Sequence, residues 1–346
     1  MRFSADALRL WAEGLLQAAG ADLPSAQATA QVLLEADLKG IASHGLVRLP
    51  IYVRRLEAGL VNPRPAPRWL RDEGPLGLLD GDLGLGPRVA LFSTGEVVRR
   101  VQAYGIGAVG VQRSTHFGMA GFYAERLAEA GYVGLVFSNV EPDVVPYGGR
   151  RAALGTNPLA FAAPTPQGPL VVDLATSQTA MGKVFLARAR GETVPPEWGV
   201  DEEGRPTQDP HQVQALLPLG GAKGYALALM VEILAGVLTG AGVTHEVGRM
   251  YDEWSRPQNV GHLFLALDPN RFLSSEAFVE RMRRLWFELK AVPPAPGFQQ
   301  VFLPGEREAV LKAERLRDGI PLEAATLEAL NELGRRYGQP LEVGHA

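Results

Sequence analysis

Residues 104–124 read YGIGAVGVQRSTHFGMAGFYA, and the order of elements around the glycines of this stretch decides the fold. Gly105, Gly107 and Gly110 spell G-x-G-x-x-G, the pattern of a dinucleotide-binding turn. That turn works when a strand precedes the glycines and a helix follows them, because the free N–H groups of a helix start must face the pyrophosphate. Here the order is reversed. A helical pattern from about Val89 to Tyr104 comes first, and a β-rich run, Ile106 to Gln112, comes after. The glycines therefore read as a helix stop and a tight turn, in a sheet that is not a Rossmann sheet.

The same β-rich texture extends outward. LGLLDGD (76–82), VGLVFSN (133–139), PLAFAAP (158–164), PLVVDLA (169–175) and GHLFLAL (261–267) read as strands, and Gly118 to Ala130 as a helix. Helical patterns fill the first sixty residues: an opening helix with Leu8, Trp11 and Leu15 on one stripe, a second from about Pro24 to Lys39, and a third carrying IYVRRLEAG (51–59). Pro63, Pro65 and Pro67 then break the run. After the last β-rich piece come helices at Ser275 to Lys290 and Glu306 to Arg317, the latter stopped by Gly319, and another starting at Pro321. The expected fold is α+β, a mixed α/β sheet with helices and non-Rossmann. It carries a discontinuous helical domain, residues 1–72 plus 285–346, around a mixed-sheet cofactor-binding domain, residues 73–284.

Composition narrows the function classes. The chain has 346 residues, a net charge of −4 and 46% apolar residues, so it lacks the basic excess of a nucleic-acid binder and the apolar poverty of a disordered chain. With no cysteine there is no disulfide framework, iron–sulfur cluster or thiol nucleophile. Neither nucleic acid nor a membrane is an expected partner: the longest apolar stretch, Tyr225 to Leu238, is interrupted by Glu232 and is shorter than the ~20 residues of a membrane span. Asp6 and Glu13 lie where a signal peptide would be apolar, so a cytoplasmic location is expected. Of the 34 basic residues only Lys39, Lys183, Lys223, Lys290 and Lys312 are lysines, which makes each lysine position informative.

Three groups of residues carry candidate chemistry. Ser43-His44-Gly45 sits in a turn between helices, and if the next helix runs back through Arg48, His44, Arg48 and Tyr52 share one side at i, i+4 and i+8. An imidazole titrates near neutrality and a guanidinium fork matches a carboxylate, although a helix cap with surface charges explains the same residues. His116 and Asp173 each end a strand, where α/β proteins place working side chains; Asp173 can orient an imidazole or bind a ribose, or simply cap a helix. Gly220, Gly221, Lys223 and Gly224 precede an apolar helix and suit an anion, without matching a Walker loop. No metal spacing and no G-x-S-x-G is present in the sequence. An acid/base histidine, an arginine and an anion site suit redox of a 2-oxo or 2-hydroxy acid with a borrowed hydride.

Read together, SHGLVRLPIY (43–52), LDGDLGLG (79–86), STHFGMAGFYA (114–124), SNVEP (138–142), LGTNPLAFAAP (154–164), VVDLATSQTAMGK (171–183), PLGGAKGYALALMVEIL (218–234) and LPGE (303–306) resemble the type II malate/L-lactate dehydrogenase family. Ala226 and Thr156 depart from the usual residues, and neither removes a titrating group. The resemblance implies a non-Rossmann homodimer using NAD or NADP on a small 2-oxo or 2-hydroxy acid. It implies His44 as proton donor and acceptor beside Ser43, Arg48 on the substrate carboxylate, and His116 as the acid/base in some relatives. Ser138, Asp173, Leu174, Ala175, Lys223 and the Pro304-Gly305-Glu306 turn match cofactor-contacting positions, with Gly224 beside them. A reductase of a cyclic imino acid or sugar-derived keto acid, and a binding protein for acidic metabolites, are the competing readings.

Overall fold

The computed structural model describes residues 1–341, so residues 342–346 of the expected C-terminal segment lie outside the described residues. Strand β1 (Arg2–Phe3) and helices α1 (Ala5–Ala18), α2 (Leu23–Leu38) and α3 (Leu49–Glu57) come first. The sheet region holds β2 (Arg68–Glu73), β3 (Leu76–Asp80), α4 (Gly86–Tyr104), β4 (Ile106–Ser114), α5 (Ala120–Glu129) and β5 (Val133–Ser138). It continues through β6 (Leu159–Ala163), β7 (Leu170–Leu174), α6 (Met181–Arg190), β8 (Gly199–Val200), β9 (Ala215–Leu216) and α7 (Ala222–Val231). Strand β10 (Val260–Leu267), α8 (Ser275–Lys290), α9 (Glu306–Asp318), β11 (Ile320–Pro321) and α10 (Ala324–Arg336) complete it.

The main sheet is mixed, in the order β2-β3-β4-β10-β5-β6-β7. Strands β3 and β4 pair in parallel across the α4 crossover, and the other neighbours are antiparallel. Strand β10 takes the centre because it is apolar on both faces. Val89, Val97 and Val101 of α4 and Phe122, Tyr123 and Leu127 of α5 cover one face over Val109, Val136 and Phe264. Val231 and Ala235 cover the other over Phe137 and Leu263.

The glycines of the opening stretch do what their context requires. Gly105 ends α4 at φ +80°, and a Cβ on Gly107 would sit 2.8 Å from the Val97 carbonyl oxygen, so the pair serves a helix stop and close helix–strand packing. Strand β2 was not anticipated: RWLRDE is charged and largely exposed, as an edge strand protected from further pairing should be. Pro321 closes β11 instead of starting a helix, and α10 begins at Ala324.

The two ends of the chain meet. Phe3, Leu8, Leu15 and Leu33 share one apolar core with Ile320, Leu330 and Leu333; β1 pairs with β11, and Trp11 Nε1 donates to the Gln339 carbonyl at 2.8 Å. The expected domain boundaries at 72/73 and 284/285 fall inside β2 and α8. No helix among the described residues is long and apolar enough to cross a membrane.

Candidate active site

The His44 turn is built by a buried carboxylate. Asp37, near the end of α2, accepts the Leu46 N–H at 2.8 Å, and its Oδ1 lies so close to Gly45 that a Cβ there would stand 1.9 Å away. Burial pushes Asp37 up to about 7, against the opposing pull of the Leu46 amide and Arg315. The chain breaks at Gly45 between two short 3₁₀ turns, Ala42–His44 and Leu46–Arg48; the second runs into α3, so the helix does reach back through Arg48, and His44 stands on the far side of the break. Arg48 folds back, its Nε donating to the Ser43 carbonyl at 2.7 Å, and Ser43 Oγ lies 3.0 Å from His44 Nδ1.

His116 arrives from the end of β4 and completes the cluster. Its ring lies 5.7 Å from that of His44, nearly parallel at 23°. The Tyr52 hydroxyl is 2.6 Å from His116 Nδ1, and the Gly118 N–H donates to the same nitrogen at 3.3 Å. A ring nitrogen that accepts from a backbone amide carries no proton, so neutral His116 holds its proton on Nε2. Burial and then the Arg48 charge push His44 down to about 4 and hold His116 well below its usual value. Burial likewise raises the Tyr52 phenol, leaving it a neutral hydroxyl. Arg48 and Tyr52 thus come from one helical run, while the Gly45 turn brings His44 and the end of β4 brings His116.

Several residues at this site were not anticipated. His262, the lone polar residue in GHLFLAL, is fully buried with Nδ1 2.9 Å from Ser138 Oγ and Nε2 2.9 Å from Ser114 Oγ. It stacks on Phe117 at 4.4 Å, directly behind His116 in the chain, and burial holds it down to about 3. Gln258 accepts the His116 N–H at 3.2 Å, and its own Nε2 is buried without an acceptor. Tyr251 places its hydroxyl on Arg48 Nη1, and Glu141 accepts the Met250 N–H at 3.1 Å while its charge acts on Arg48. A polar residue inside an apolar strand was a readable signal for His262; the other three lie in loops whose approach to Arg48 or His116 leaves no trace in spacing.

A cleft of about 400 Å³ lies beyond, lined among others by Lys39, Met119, Asp173, Leu174, Pro304 and Arg307. Asp173 accepts the Gly121 N–H at 2.7 Å in the first turn of α5, so it does cap a helix, and it faces the cleft as well. Loss of water around the carboxyl pushes it up to about 6, opposed by that amide and by Lys39, which is itself paired with Glu35 at 3.2 Å and with Glu125. Gly305, at φ +89°, lets its turn lie against Val171. Glu306 clamps that turn by accepting the Leu303 N–H at 2.8 Å and pairing with Lys290 at 2.7 Å. Ala175 is half-buried immediately after Leu174.

The expected site residues therefore divide. Ser43, His44, Arg48, Tyr52 and His116 meet in one cluster; Asp173, Leu174, Pro304 and Gly305 meet in the cleft; the segment from His116 to Gly121 joins the two. Ser138 is buried beneath them, its hydroxyl donating to the Asn139 carbonyl at 3.0 Å. Lys223 is exposed at the start of α7, outside the cleft lining, and Gly224 is needed for packing, since a Cβ there would meet the Leu219 carbonyl oxygen at 2.1 Å. The cleft fits a nucleotide: apolar walls for rings, a carboxylate that can accept from hydroxyls, and an arginine at its edge.

The profile described as malate/L-lactate dehydrogenase matches residues 3–331. A ureidoglycolate dehydrogenase (NAD(+)) of Escherichia coli K12 is 38% identical over 324 residues, covering 93% of each chain. A malate dehydrogenase of Pyrococcus horikoshii is 38% identical over 90% of this chain and 89% of its own. The solved sulfolactate dehydrogenase of Methanocaldococcus jannaschii superposes with a TM-score of 0.92 at 33% identity, covering 99% of this chain and 98% of that one. Sequence match and superposition both run nearly end to end, and the chain belongs to the malate/L-lactate dehydrogenase family.

Proposed function

We propose that the protein is an NAD(P)-dependent dehydrogenase interconverting a small 2-hydroxy acid and its 2-oxo acid. The observation that carries this is the stacked His44–His116 pair, 5.7 Å apart, with the Arg48 guanidinium folded onto the Ser43 carbonyl beside it. Arg48 holds the substrate carboxylate, and a histidine held neutral by burial is ready to take the hydroxyl proton as the C–H bond breaks. A bound nicotinamide supplies the acceptor for the hydride, or its donor in reverse. In the reducing direction the same imidazole returns the proton to the carbonyl oxygen. Arrival of the substrate carboxylate on Arg48 offsets the charge that depresses both histidines, which raises their proton affinity when the substrate is in place.

The site residues hold the roles expected of them in this reading: His44 exchanges the proton, Ser43 and His116 support it, and Asp173 with the Pro304-Gly305 turn holds the nucleotide. Nicotinamide absorbance with pyruvate, oxaloacetate, sulfopyruvate and a cyclic imino acid, using NADH and NADPH in turn, tests it. His44→Ala is expected to lower turnover by about 10²–10⁴ while nicotinamide binding survives. An undiminished rate moves the acid/base role to His116, and no absorbance change with any acid refutes the dehydrogenase.

We further read the chain as a cytoplasmic homodimer of non-Rossmann topology. Leu227, Met230, Ile233, Val237 and Leu238, on α7 and the turns after it, leave an apolar face exposed, and a second copy would cover it. The shared core of the two chain ends supports a discontinuous helical domain, with junctions at the ends of β2 and α8.

A further inference from the structure

We infer that the acid this site prefers carries a neutral or cationic, hydrogen-bond-donating tail and not a second acid group; this rests on the dehydrogenase reading above. Among the described residues, Arg48 is the one cation whose charge bears on both His44 and His116. Its Nε is held by the Ser43 carbonyl at 2.7 Å and its Nη1 by Tyr251, whose ring centre is 5.5 Å from the guanidinium carbon. What is left of the fork serves one carboxylate, with the Tyr251 O–H free to donate beside it.

The surroundings of Arg48 on the Tyr251 side are acidic. Glu141 is fixed there by accepting the Met250 N–H at 3.1 Å, and its charge acts on Arg48, Arg55 and Asp143. The other arginines on this side are engaged: Arg54 stacks on Trp254 and Arg256 pairs with Glu253. Arg55 is buried and donates to the carbonyls of Arg249, Met250, Glu253 and Arg256. Arg249 donates to Asp252 at 2.9 Å and to the Pro142 carbonyl at 3.2 Å, and lies 3.6 Å from Asp143. A substrate whose C1 carboxylate sits on Arg48 and whose tail turns to the Tyr251 side meets the Tyr251 phenol and the charge of Glu141. An amide, ureido or ammonium tail finds an acceptor in Glu141; a carboxylate or sulfonate finds like charge and no open cation.

The test compares oxidation of racemic lactate, malate, the 4-monoamide of malate and 3-sulfolactate by the full chain with NAD⁺ and NADP⁺. The monoamide is nearly isosteric with malate and lacks its second charge. Its kcat/KM is expected to exceed that of malate and of sulfolactate by about 10-fold or more, from one poorly screened like charge. Glu141→Gln is expected to shrink that ratio, since a glutamine keeps the Met250 hydrogen bond and removes the charge. If that variant does not fold, inhibition of lactate oxidation in the wild type serves instead, the monoamide binding more tightly than malate. Malate or sulfolactate preferred over the monoamide, or an unchanged ratio in folded Glu141→Gln, overturns the inference. If the wild type oxidises none of the four with either nicotinamide, the dehydrogenase reading itself fails and takes this inference with it.

Discussion

Replacing Gly45 by alanine should damage the site without touching any reacting atom. The new methyl would lie 1.9 Å from Asp37 Oδ1 and 2.3 Å from its Cγ, where ordinary contact begins near 3.4 Å. Gly45 has φ −88°, so backbone strain is not the issue; the clash is. Either the carboxylate or the turn must move by about 1.5 Å. Moving the carboxylate breaks its bond to the Leu46 N–H, and moving the turn displaces Ser43, His44 and Arg48. Loss of a buried hydrogen bond to an ionisable group and overpacking together cost about 2–4 kcal/mol. The lower part of that range is favoured because Asp37, pushed up to about 7, is partly protonated at neutral pH. A shift of about 1 Å in the reacting groups lowers turnover on the order of 100-fold. Thermal melting and steady-state rates read the two effects, with Gly95→Ala as control. Gly95 lies inside α4 with nothing within 4 Å of a Cβ, so alanine there should stabilise by about 0.5–1 kcal/mol and leave the rate unchanged. The double variant Asp37→Ala, Gly45→Ala should lose less stability than the sum of its parts, because the first change makes room for the second. A Gly45→Ala protein that melts and turns over like the wild type would falsify the account of the turn.

Two more outcomes follow from charge and exposure. In the oxidising direction, with nicotinamide saturating so that Asp173 does not enter, kcat/KM for the acid requires neutral His44; its proton affinity is depressed from 6.5 to about 4, so the profile should stay flat from neutrality downward and fall only as pH approaches about 4. Arg48→Gln, measured at its reduced rate, should move that acid limb upward by part of the way only, since burial is the larger cause; a wild-type limb near 6.5 contradicts the assignment. Val237 is 61% exposed on the apolar face after α7, and Val237→Glu should split the proposed dimer in sedimentation, whereas a monomeric wild type refutes the dimer outright.

Much of the architecture was readable because it depends on local order. The helix-glycine-strand sequence around Gly105 excluded a phosphate-binding turn, and α4 and β4 form on either side of it. The strands seen in β-rich pieces form, whereas β2 was missed because an exposed edge strand has no apolar face to reveal it. Sheet order was not readable either, since β10 inserts between β4 and β5 from far along the chain. At the site, His44, Arg48, Tyr52 and His116 were named from residue type and motif; the helix reaches back through Arg48, but the turn that Asp37 and Gly45 impose sets His44 apart from it. Lys223, the lysine of the glycine-rich motif that suits an anion, stands exposed at the start of α7 and outside the cleft lining.

By itself the sequence determined which chemistry was available: no thiol, six histidines, arginine in place of most lysine, and motifs that carry a family resemblance. Those are properties of residue type and short spacing, which survive without a fold. Only the tertiary structure decided the state of those groups. The proton on His116 Nε2 follows from Tyr52 and Gly118 meeting one ring nitrogen, and the acidic tail side of Arg48 follows from Glu141 and Tyr251 arriving from separate loops. Protonation and charge balance depend on burial and on neighbours distant in sequence, and folding is the step that supplies both.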